Sequence, residues 1–292
     1  MHTELARKLG EFARERVDDV LNSQDYSAMS MSMMNTELML GDAERDYDPN
    51  DPNQKGFISG LDEVWALVCE AAISKAASLA EDSPEFARNL SLSPGALQAA
   101  LYDNYLFGAL AAAFAAHTDD SIRAMPALAW AAYNKHAYKG YRDEVACLRM
   151  LLWAGFDPDA QDEQGMTALH YMASLKHSSY SHPRAVGLLL EAGADPNLQN
   201  VRGDTPLCYL SGNARWTDNL NITATMLLSA DADSNRPAAD GATPLSLMQA
   251  SNALHPHEDR SQLIAELMAR YDAAALGEVP EAAASDGKSK TL

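Results

Sequence analysis

Apolar residues in the second half of the chain fall into short paired runs that are separated by polar turns. Each pair combines a short run, such as LHYMASL at 169–175, with a longer one, such as VGLLLEA at 186–192. The longer runs are apolar around most of a helical circumference, which is typical of helices sandwiched between neighbours. Because such short helices are unstable alone, the pattern predicts helix pairs that stabilise one another by packing.

The first 122 residues follow a different pattern, with longer helical stripes and no repeat. Two stripes each place their apolar residues on one helical face, and they consist of Leu5, Leu9, Phe12, Val17, Val20 and Leu21, and of Leu61, Val64, Trp65, Val68, Ala72 and Leu79. A third helix, Leu97 to Ala116, is so rich in Ala that neighbours could approach it closely. We expect a helical domain or oversized cap, because the end of a repeat stack needs a polar outer surface.

A methionine-rich segment lies between the two stripes. In SAMSMSMMNTELML at 27–40, Met29, Met31 and Met33 stand at alternate positions, as in a strand. Methionine is adaptable at binding surfaces, although ordinary core filling is the role that we favour here.

The helix pairs of the second half recur with a period of 38 residues. Two columns of residues have this spacing: Gly155, Gly193 and Asp231, and Gly165, Gly203 and Gly241. A fixed period of this length indicates a stacked repeat architecture. Gly155 and Gly193 stand where a helix end needs a positive φ. The second column precedes Thr and then Pro or Ala, which are suited to a helix start.

The turn and the helix start of this repeat resemble those of the ankyrin repeat family. The family's T-P-L-H start appears as Thr167-Ala168-Leu169-His170 and Thr205-Pro206-Leu207-Cys208, and its G-A-D-x-N turn as Gly193-Ala194-Asp195-Pro196-Asn197. The resemblance covers residues 123 to about 273 and implies an all-α fold, with an ankyrin-repeat solenoid of about four repeats after an N-terminal helical domain. We therefore expect an acidic helical domain or cap at 1–122, the ankyrin repeat domain at 123–276 and a disordered tail at 277–292.

The chain departs from the family between the two helices of each repeat. From the helix-start Thr to the next turn the distance is 26 residues, whereas the ordinary period of 33 leaves about 21. Roughly five extra residues per repeat must lie in the interhelix loops, which contain KHSSYSHPR, GNARWTDNLN and ALHPHEDR. Pro183 marks the start of the second helix after the first of these loops.

The resemblance also implies where a partner binds, because proteins of this family usually use the turn tips and the adjoining face of the first helix. The candidates at the turn tips are Asp162, Glu163, Gln164, Val201, Arg202 and Asp240. Those on the first-helix face are Tyr171, Met172, Lys176, Tyr209 and Met248, and the enlarged loops add Tyr180 and Trp216. For the Tyr and Met residues, packing between layers is the alternative role.

Charge is distributed unequally along the chain. The net charge is −19, and residues 1–122 alone carry 8 Lys and Arg against 21 Asp and Glu, a net −13. Nucleic acids and anionic membranes are poor partners for this surface, since they are held mainly by Lys and Arg. A basic protein partner is favoured, although negative charge that only maintains solubility is an equally good explanation.

Cysteine usage and the N-terminus indicate a soluble cytoplasmic protein. Cys69, Cys147 and Cys208 are far apart in apolar runs, which supports neither a disulfide framework nor a zinc cluster. The N-terminus is charged throughout and lacks the apolar core of a secretory signal. The uncharged, Ala-rich run at 104–118 is too short to span a bilayer.

The sequence has none of the catalytic, nucleotide-binding or calcium-binding motifs that we considered. The chain has no G-x-S-x-G, P-loop or G-x-G-x-x-G motif. The acidic run GDAERDYDPNDPN at 41–53 lacks the Gly and the Glu of a calcium loop. A small basic and aromatic patch at 138–143 is better explained as solvated surface. We therefore expect no cofactor.

The histidines do not form a convincing site. Two pairs, His177 with His182 and His255 with His257, have no paired Cys or fixed carboxylate to complete a metal site. His170 occupies the helix-start motif, where its ring can bridge turn groups. We expect no metal and no catalytic residue.

The function that these observations favour is a non-enzymatic scaffold that binds another protein through its repeats. A sharper hypothesis is that the chain masks a basic protein, as an inhibitor or immunity protein does. The alternative is an effector or enzyme with an unrecognised active site in residues 1–122, for which the repeats recruit the substrate. A structural subunit that self-associates is a third hypothesis.

Overall fold

The computed structural model is helical in the part of the chain that it describes. That part comprises residues 2–45, 57–83, 86–87, 93–103, 105–116, 120–133, 143–174, 182–212, 218–254, 265 and 269. No strand occurs among these residues, so the prediction of an all-α fold is confirmed. The predicted tail at 277–292 lies outside them.

Three long helices open the chain: α1 at His2–Leu21, α2 at Tyr26–Arg45 and α3 at Phe57–Asp82. The first and third are the two helices that the apolar stripes predict. Five of the six stripe residues of α3 are buried, with Val68 and Ala72 fully enclosed, and Leu79 is half-buried. Each of the three helices packs on the other two, so the stripes face a shared core, except for Leu21 at the end of α1, which is 42% exposed.

The strand-like alternation of the methionines is misleading, because this segment is the helix α2. Asp25 caps its start, where the carboxylate accepts the Ala28 N–H at 2.9 Å. Met29 and Met33, which are one helical turn apart, are buried, whereas Met31 is 55% exposed. The helical period therefore decides which methionines enter the core, and core filling is confirmed for two of the three.

The single Ala-rich helix expected at 97–116 is instead two helices, α4 at Pro94–Asp103 and α5 at Tyr105–Ala116. They pack against each other so closely that a Cβ on Gly108 would lie 2.7 Å from the Leu101 nitrogen. The alanines of α5 are buried against its neighbours. The predicted close approach is therefore correct, and the expectation of one continuous helix is wrong.

The repeat region forms the predicted helix pairs. A turn of 3₁₀ helix at Asp120–Ala124 precedes them. The helices are α6 at Ala127–Ala132, α7 at Asp143–Trp153, α8 at Ala168–Ala173, α9 at His182–Glu191, α10 at Pro206–Ser211, α11 at Asp218–Ser229 and α12 at Pro244–Leu254. The first helix of a pair thus ends well before the second begins, and Pro183 lies in the first turn of α9, as expected.

The chain divides into two compact units. The first comprises Met1–Met172 with Lys176–Asp195, and the second comprises Ala173–Leu175 with Pro196–Leu292. The N-terminal helices thus share a unit with the first two helix pairs. The boundary between residues 122 and 123 stays a prediction about the sequence.

Ion pairs join the N-terminal helices to the repeat helices inside the first unit. Arg149 of α7 lies 3.2 Å from Asp62 of α3. Arg184 of α9 lies 2.5 Å from Glu37 of α2, whose side chain is only 2% exposed. In addition, α2, α3 and α5 pack on α7. The N-terminal helices therefore cover the second helix of the first pair.

Candidate functional site

The helix starts of the repeat are built by side chains that bond to the backbone. The Thr205 hydroxyl accepts the Cys208 N–H at 3.3 Å before α10. The Thr243 hydroxyl accepts the Ser246 N–H at 3.2 Å before α12, and the Ser246 hydroxyl accepts the Thr243 N–H at 2.8 Å in return. Such reciprocal bonds satisfy backbone donors that a helix start leaves open. The predicted capping role of Thr is confirmed.

His170 has the structural role that its motif predicts. Its ring is fully buried, its Nδ1 accepts the Thr167 N–H at 3.1 Å, and the Thr167 hydroxyl lies 2.9 Å from the same nitrogen. The ring thus bridges the groups that begin α8. It is the counterpart of Cys208 and Ser246 in the following repeats.

The helix ends carry the backbone geometry that the first 38-residue column predicts. Gly155 and Gly193 have φ of 83° and 90°, and Asp231 has the one positive φ among the described non-Gly residues, at 61°. At α9, the N–H groups of Gly193 and Ala194 donate to carbonyls of the last turn at 3.0 Å each. These bonds end the helix and direct the chain into the connecting turn.

In each of two connecting turns, one side chain forms a hydrogen bond with the backbone of the next turn. Asp159 accepts the Asp195 N–H at 2.8 Å, and Asn197 accepts the Asp233 N–H at 2.7 Å. Asn197 also donates its amide to the Asp231 carbonyl at 2.9 Å, a bond that a carboxylate at Asp159 cannot make. Burial raises the pKa of Asp159, and the charges of Asp157 and Asp195 raise it further, against the bond from the Asp195 N–H.

Each turn tip, which we define as residues 162–165, 200–203 or 238–241, is held by an internal carboxylate or amide. Asp162 accepts the N–H groups of Gln164 and Met166 at 2.9 Å each, together with the Tyr171 hydroxyl. Asn200 accepts the N–H groups of Arg202 and Asp204 at 2.9 and 3.0 Å and contacts the Tyr209 hydroxyl. Asp162, a predicted partner-binding residue, therefore also holds its own turn.

The third turn tip uses a different residue for the same purpose. Ala238 stands where the other tips have Asp162 or Asn200. Asp240 compensates, since its carboxylate accepts the Ala242 N–H at 2.9 Å. Asp240 is exposed, so it both holds the tip and faces solvent.

The remaining tip candidates point into solvent. Glu163 and Gln164 are exposed in the first unit, as are Val201 and Arg202 in the second. Val201 is 72% exposed, the highest value among the large apolar residues that the structure describes. Arg202 lies over the Tyr209 ring, 5.4 Å from its centroid, and pairs with Asp204 at 2.9 Å. Exposed side chains thus stand on a backbone that is held by hydrogen bonds.

The first-helix candidates are mostly packed. Tyr171 is 8% exposed, and its ring meets that of Tyr133 edge to face at 5.1 Å. Met172 and Met248 are completely buried, so they have the packing role that was the alternative. Tyr209 is half-buried. Lys176, Tyr180 and Trp216 lie outside the described residues.

The turn edge of the first unit is mainly acidic, with the Arg123 guanidinium bonded to the Ala154 carbonyl at 2.7 Å. Residues 154–174 contain Asp157, Asp159, Asp162 and Glu163 and no Lys or Arg. Coulomb attraction at this edge therefore favours a cationic group. The tips of the second unit are mixed, because Arg202 stands among acidic neighbours.

The described residues include few groups that could bind a metal ion or act as a nucleophile. No group of three or more His, Cys, Asp or Glu in the described ranges could hold a metal ion. Cys69, Cys147 and Cys208 are buried and form no disulfide, and burial raises the pKa of the Cys69 and Cys208 thiols. Histidines 177, 255 and 257 lie outside the described residues, as does most of the acidic run at 41–53. None of the described helices is both long enough and apolar enough to cross a bilayer.

Motifs alone do not predict two structural features of the site, although one of them has a signal in the spacing of the sequence. The bonds between successive turns join residues 36 apart, and only coordinates show them. The tyrosines of the first helices are visible in the sequence, because Tyr133, Tyr171 and Tyr209 are spaced by 38 residues like the glycines. That spacing indicates shared packing roles.

Comparison with known proteins bears on the same segment. The family model "Ankyrin repeat" matches residues 164–201, from the first turn tip to the second. A comparison with curated proteins gives no match. The matched segment contains the Thr167–His170 helix start, α8, α9 and the Gly193 turn, and the neighbouring segments repeat its caps, φ angles and tip bonds. Residues 164–201 of the chain thus form an ankyrin repeat.

Proposed function

We propose that this chain is a non-enzymatic scaffold that binds a protein partner through its turn tips. The observation that carries the proposal is the pairing of exposed side chains with an internally bonded backbone. Asp162 and Asn200 hold their tips through backbone N–H groups, while Glu163, Gln164, Val201 and Arg202 are exposed beside them. A surface that is ordered before it binds loses less entropy on association.

The partner that we propose is a basic protein, which the chain masks as an inhibitor or immunity protein does. Support comes from the turn edge of the first unit, where 154–174 has four carboxylates and no cation, and from the overall net charge of −19. Acidic surfaces accelerate encounters with cationic partners and repel anionic ones. Nucleic acid is therefore not the expected ligand.

The cytoplasm is the location that we propose. All three cysteines are buried in the helices and form no disulfide, and proteins of a reducing compartment retain cysteines in that form. Burial raises the pKa of the Cys69 and Cys208 thiols, which suits packing better than nucleophilic chemistry.

The test is affinity capture from the native cell extract with the full-length chain and paired variants. Glu163→Lys changes the acidic tip and Glu81→Lys makes the same change on α3, where Glu81 is also exposed. Val201→Lys changes the apolar tip, and Ile222→Lys alters a residue of α11 that is 49% exposed. Quantitative mass spectrometry compares what each variant recovers at low and moderate salt.

We expect at least one basic protein whose recovery falls about tenfold, equivalent to about 1.4 kcal/mol, with a tip variant but not with its control. Its recovery should also fall as salt is added, because the proposed attraction is screened. If every recovered protein responds equally to a tip variant and to its control, the turn tips are not the binding surface. Recovery that is unchanged by salt contradicts the basic partner.

A further inference from the structure

The helix α2 has methionines on two opposite faces, and only one of these faces is buried against other described helices. Met29, Met33 and Leu40 are buried at 1% exposure or less, on the side that packs against α1, α3 and α7. Met31 and Met39 are 55% and 46% exposed. With the exposed Asn35 between them at steps of four residues, they lie on one side of the helix.

The N-terminal helices contain most of the exposed large apolar residues of the described chain. Six large apolar residues are exposed in the described part of the chain, and four of them lie in the N-terminal helices: Leu21, Met31, Met39 and Leu67. The N-terminal helices are not short of core, since they bury Val20, Leu61 and Trp65. Exposure of Met31 and Met39 is therefore not explained by the packing of the fold.

The three helices that include this apolar face carry mostly negative charge. Among the described residues of α1 to α3 and their connections, eleven Asp and Glu are exposed, against three Lys and Arg. Asp42 lies one turn beyond Met39 on the same side of α2. Anionic surroundings repel acidic segments and attract a segment that presents both apolar and cationic side chains.

We propose that the Met31–Met39 face of α2 is a docking surface for a basic amphipathic helix of the partner. Unbranched methionine side chains adapt to apolar residues of different shape, and an amphipathic helix places such residues at intervals of three and four. The lysines or arginines of that helix would lie beside the carboxylates around α2. The proposal rests on the proposed function in that the partner is basic, but it assigns a surface other than the turn tips.

The probe is a fluorescein-labelled 14-residue peptide of leucine and lysine that is designed as an amphipathic helix. Its binding to the full-length chain is measured by fluorescence anisotropy. A peptide with glutamate at every lysine position is the charge control. A lysine peptide of the same composition, with its leucines spread around the helix, controls for charge alone.

The chain variants are Met31→Gln with Met39→Gln, compared with Val201→Gln and Ile222→Gln. We expect the α2 double variant to weaken binding of the amphipathic lysine peptide about tenfold. The Val201 and Ile222 variants should bind as the unchanged chain does. Because both methionines are exposed, the double variant should keep its thermal midpoint, which is checked by circular dichroism.

Methionine methyl NMR locates the peptide without any substitution. In a chain labelled at the methionine methyl groups, the signals of Met31 and Met39 should shift on titration, while those of the buried Met29 and Met33 stay in place. Assignment follows from the single glutamine variants. Shifts at Met31 and Met39 that match the anisotropy titration support the proposed surface.

Several outcomes would overturn the inference. These are absence of binding, equal binding of the glutamate or the non-amphipathic peptide, and an unchanged affinity in the α2 double variant. Methyl shifts of Met31 and Met39 that depend on protein concentration without peptide would assign this face to a second copy of the chain. The turn tips are unaltered in the α2 variant, so failure here leaves the capture experiment with Glu163 and Val201 to decide the proposed function separately.

Discussion

A single residue distinguishes the first connecting turn from the second. Asp159 and Asn197 both accept a backbone N–H from the next turn, but only Asn197 also donates, to the Asp231 carbonyl. The carboxylate of Asp159 faces two acidic neighbours, Asp157 and Asp195, whose charges help to raise its pKa. The repeat thus carries a less favourable residue at its first turn.

Replacing Asp159 with Asn should stabilise the first unit. The new amide can reach the Gly193 carbonyl, the counterpart of the Asp231 carbonyl, and a net gain of about 1 kcal/mol is typical of one such bond. Urea unfolding at neutral pH, followed by circular dichroism, measures the gain. Asn197→Asp is the reverse change at the second turn and should lower the free energy of unfolding by a similar amount.

The gain should also depend on pH. The pKa of Asp159 is raised in the folded chain, so the folded state binds the proton more tightly than the unfolded state does. The charged form therefore opposes folding, and stability from this group is lost as pH rises from the unfolded value through the folded pKa. The advantage of Asp159→Asn should shrink as pH falls below that window. An advantage that grows on acidification would contradict the assigned cause.

Gly203 and Gly241 form a second matched pair at the residue scale. Both have positive φ, at 77° and 82°. A Cβ on Gly203 would lie 2.8 Å from the Ala239 nitrogen, whereas one on Gly241 would meet nothing within 4 Å. The Ala239 N–H donates to the Arg202 carbonyl at 2.9 Å, so this backbone cannot retreat without losing a bond.

Alanine should therefore be tolerated less at Gly203 than at Gly241. Gly241→Ala incurs only the backbone strain, about 1 to 2 kcal/mol, and Gly203→Ala incurs the same strain plus the clash with Ala239. Urea unfolding of the two variants gives the difference. Equal losses would mean that the two turn tips can separate freely.

At the scale of the helix, the Arg184–Glu37 ion pair joins α9 to α2. The Glu37 side chain is 2% exposed, while that of Arg184 is 28% exposed. The guanidinium also lies against Gly41, where a Cβ would overlap it. The pair is thus enclosed, unlike the Arg7–Glu11 pair on α1, whose side chains are both more than half exposed.

Removing one partner of the enclosed pair should destabilise the first unit strongly. Arg184→Ala leaves the Glu37 carboxylate buried without this cation, which typically costs about 3 to 5 kcal/mol. Arg7→Ala should cost less than about 1 kcal/mol, because exposed pairs contribute little. Thermal and urea unfolding compare the two variants. Similar small losses would show that Glu37 is satisfied without Arg184.

The sequence predicts those features of the helices that depend on residues close together in the chain, and it does not predict those that depend on packing between distant residues. Thr205, Gly193 and Pro183 act on their own backbone, so the starts and ends of the repeat helices were predictable. The alternation that includes Met31 is misleading. It fits a strand over a few residues, but it carries no information about the packing that stabilises this segment as the helix α2. The division of α4 from α5 was missed for the same reason, since it depends on the contact between Gly108 and Leu101.

The features of the candidate site also fall into those that follow from the repeat and those that depend on contacts between distant residues. The positions of Glu163, Val201 and Arg202 at exposed turn tips follow from the repeat, and the structure places them there. Met172 and Met248 are buried because neighbouring helices pack on them. The repeat period places both residues on a helix face but does not tell whether that face is packed or exposed to a partner. The bond from the Asp195 N–H to Asp159 requires coordinates, because it joins two turns across a whole repeat.

At the scale of the whole molecule, the net charge of −19 should govern how fast a basic partner arrives. At low salt, all carboxylates of the chain contribute to the long-range attraction of a basic partner. At higher salt, distant carboxylates are screened and contribute little. The screening length is about 30 Å at about 0.01 M salt and about 8 Å at about 0.15 M. The two conditions thus separate the total charge from the charge at the binding surface.

Glu163→Lys and Glu81→Lys change the total charge equally, but only Glu163 stands at a turn tip. At about 0.01 M salt, both variants should slow association with the captured partner, because both weaken the overall field. At about 0.15 M, Glu163→Lys should still slow it several-fold, whereas Glu81→Lys should have almost no effect. Stopped-flow association rates provide the measurement. If the two variants remain equal at the higher salt, the partner does not approach the acidic turn edge, and its contact must be sought on another surface such as the Met31–Met39 face.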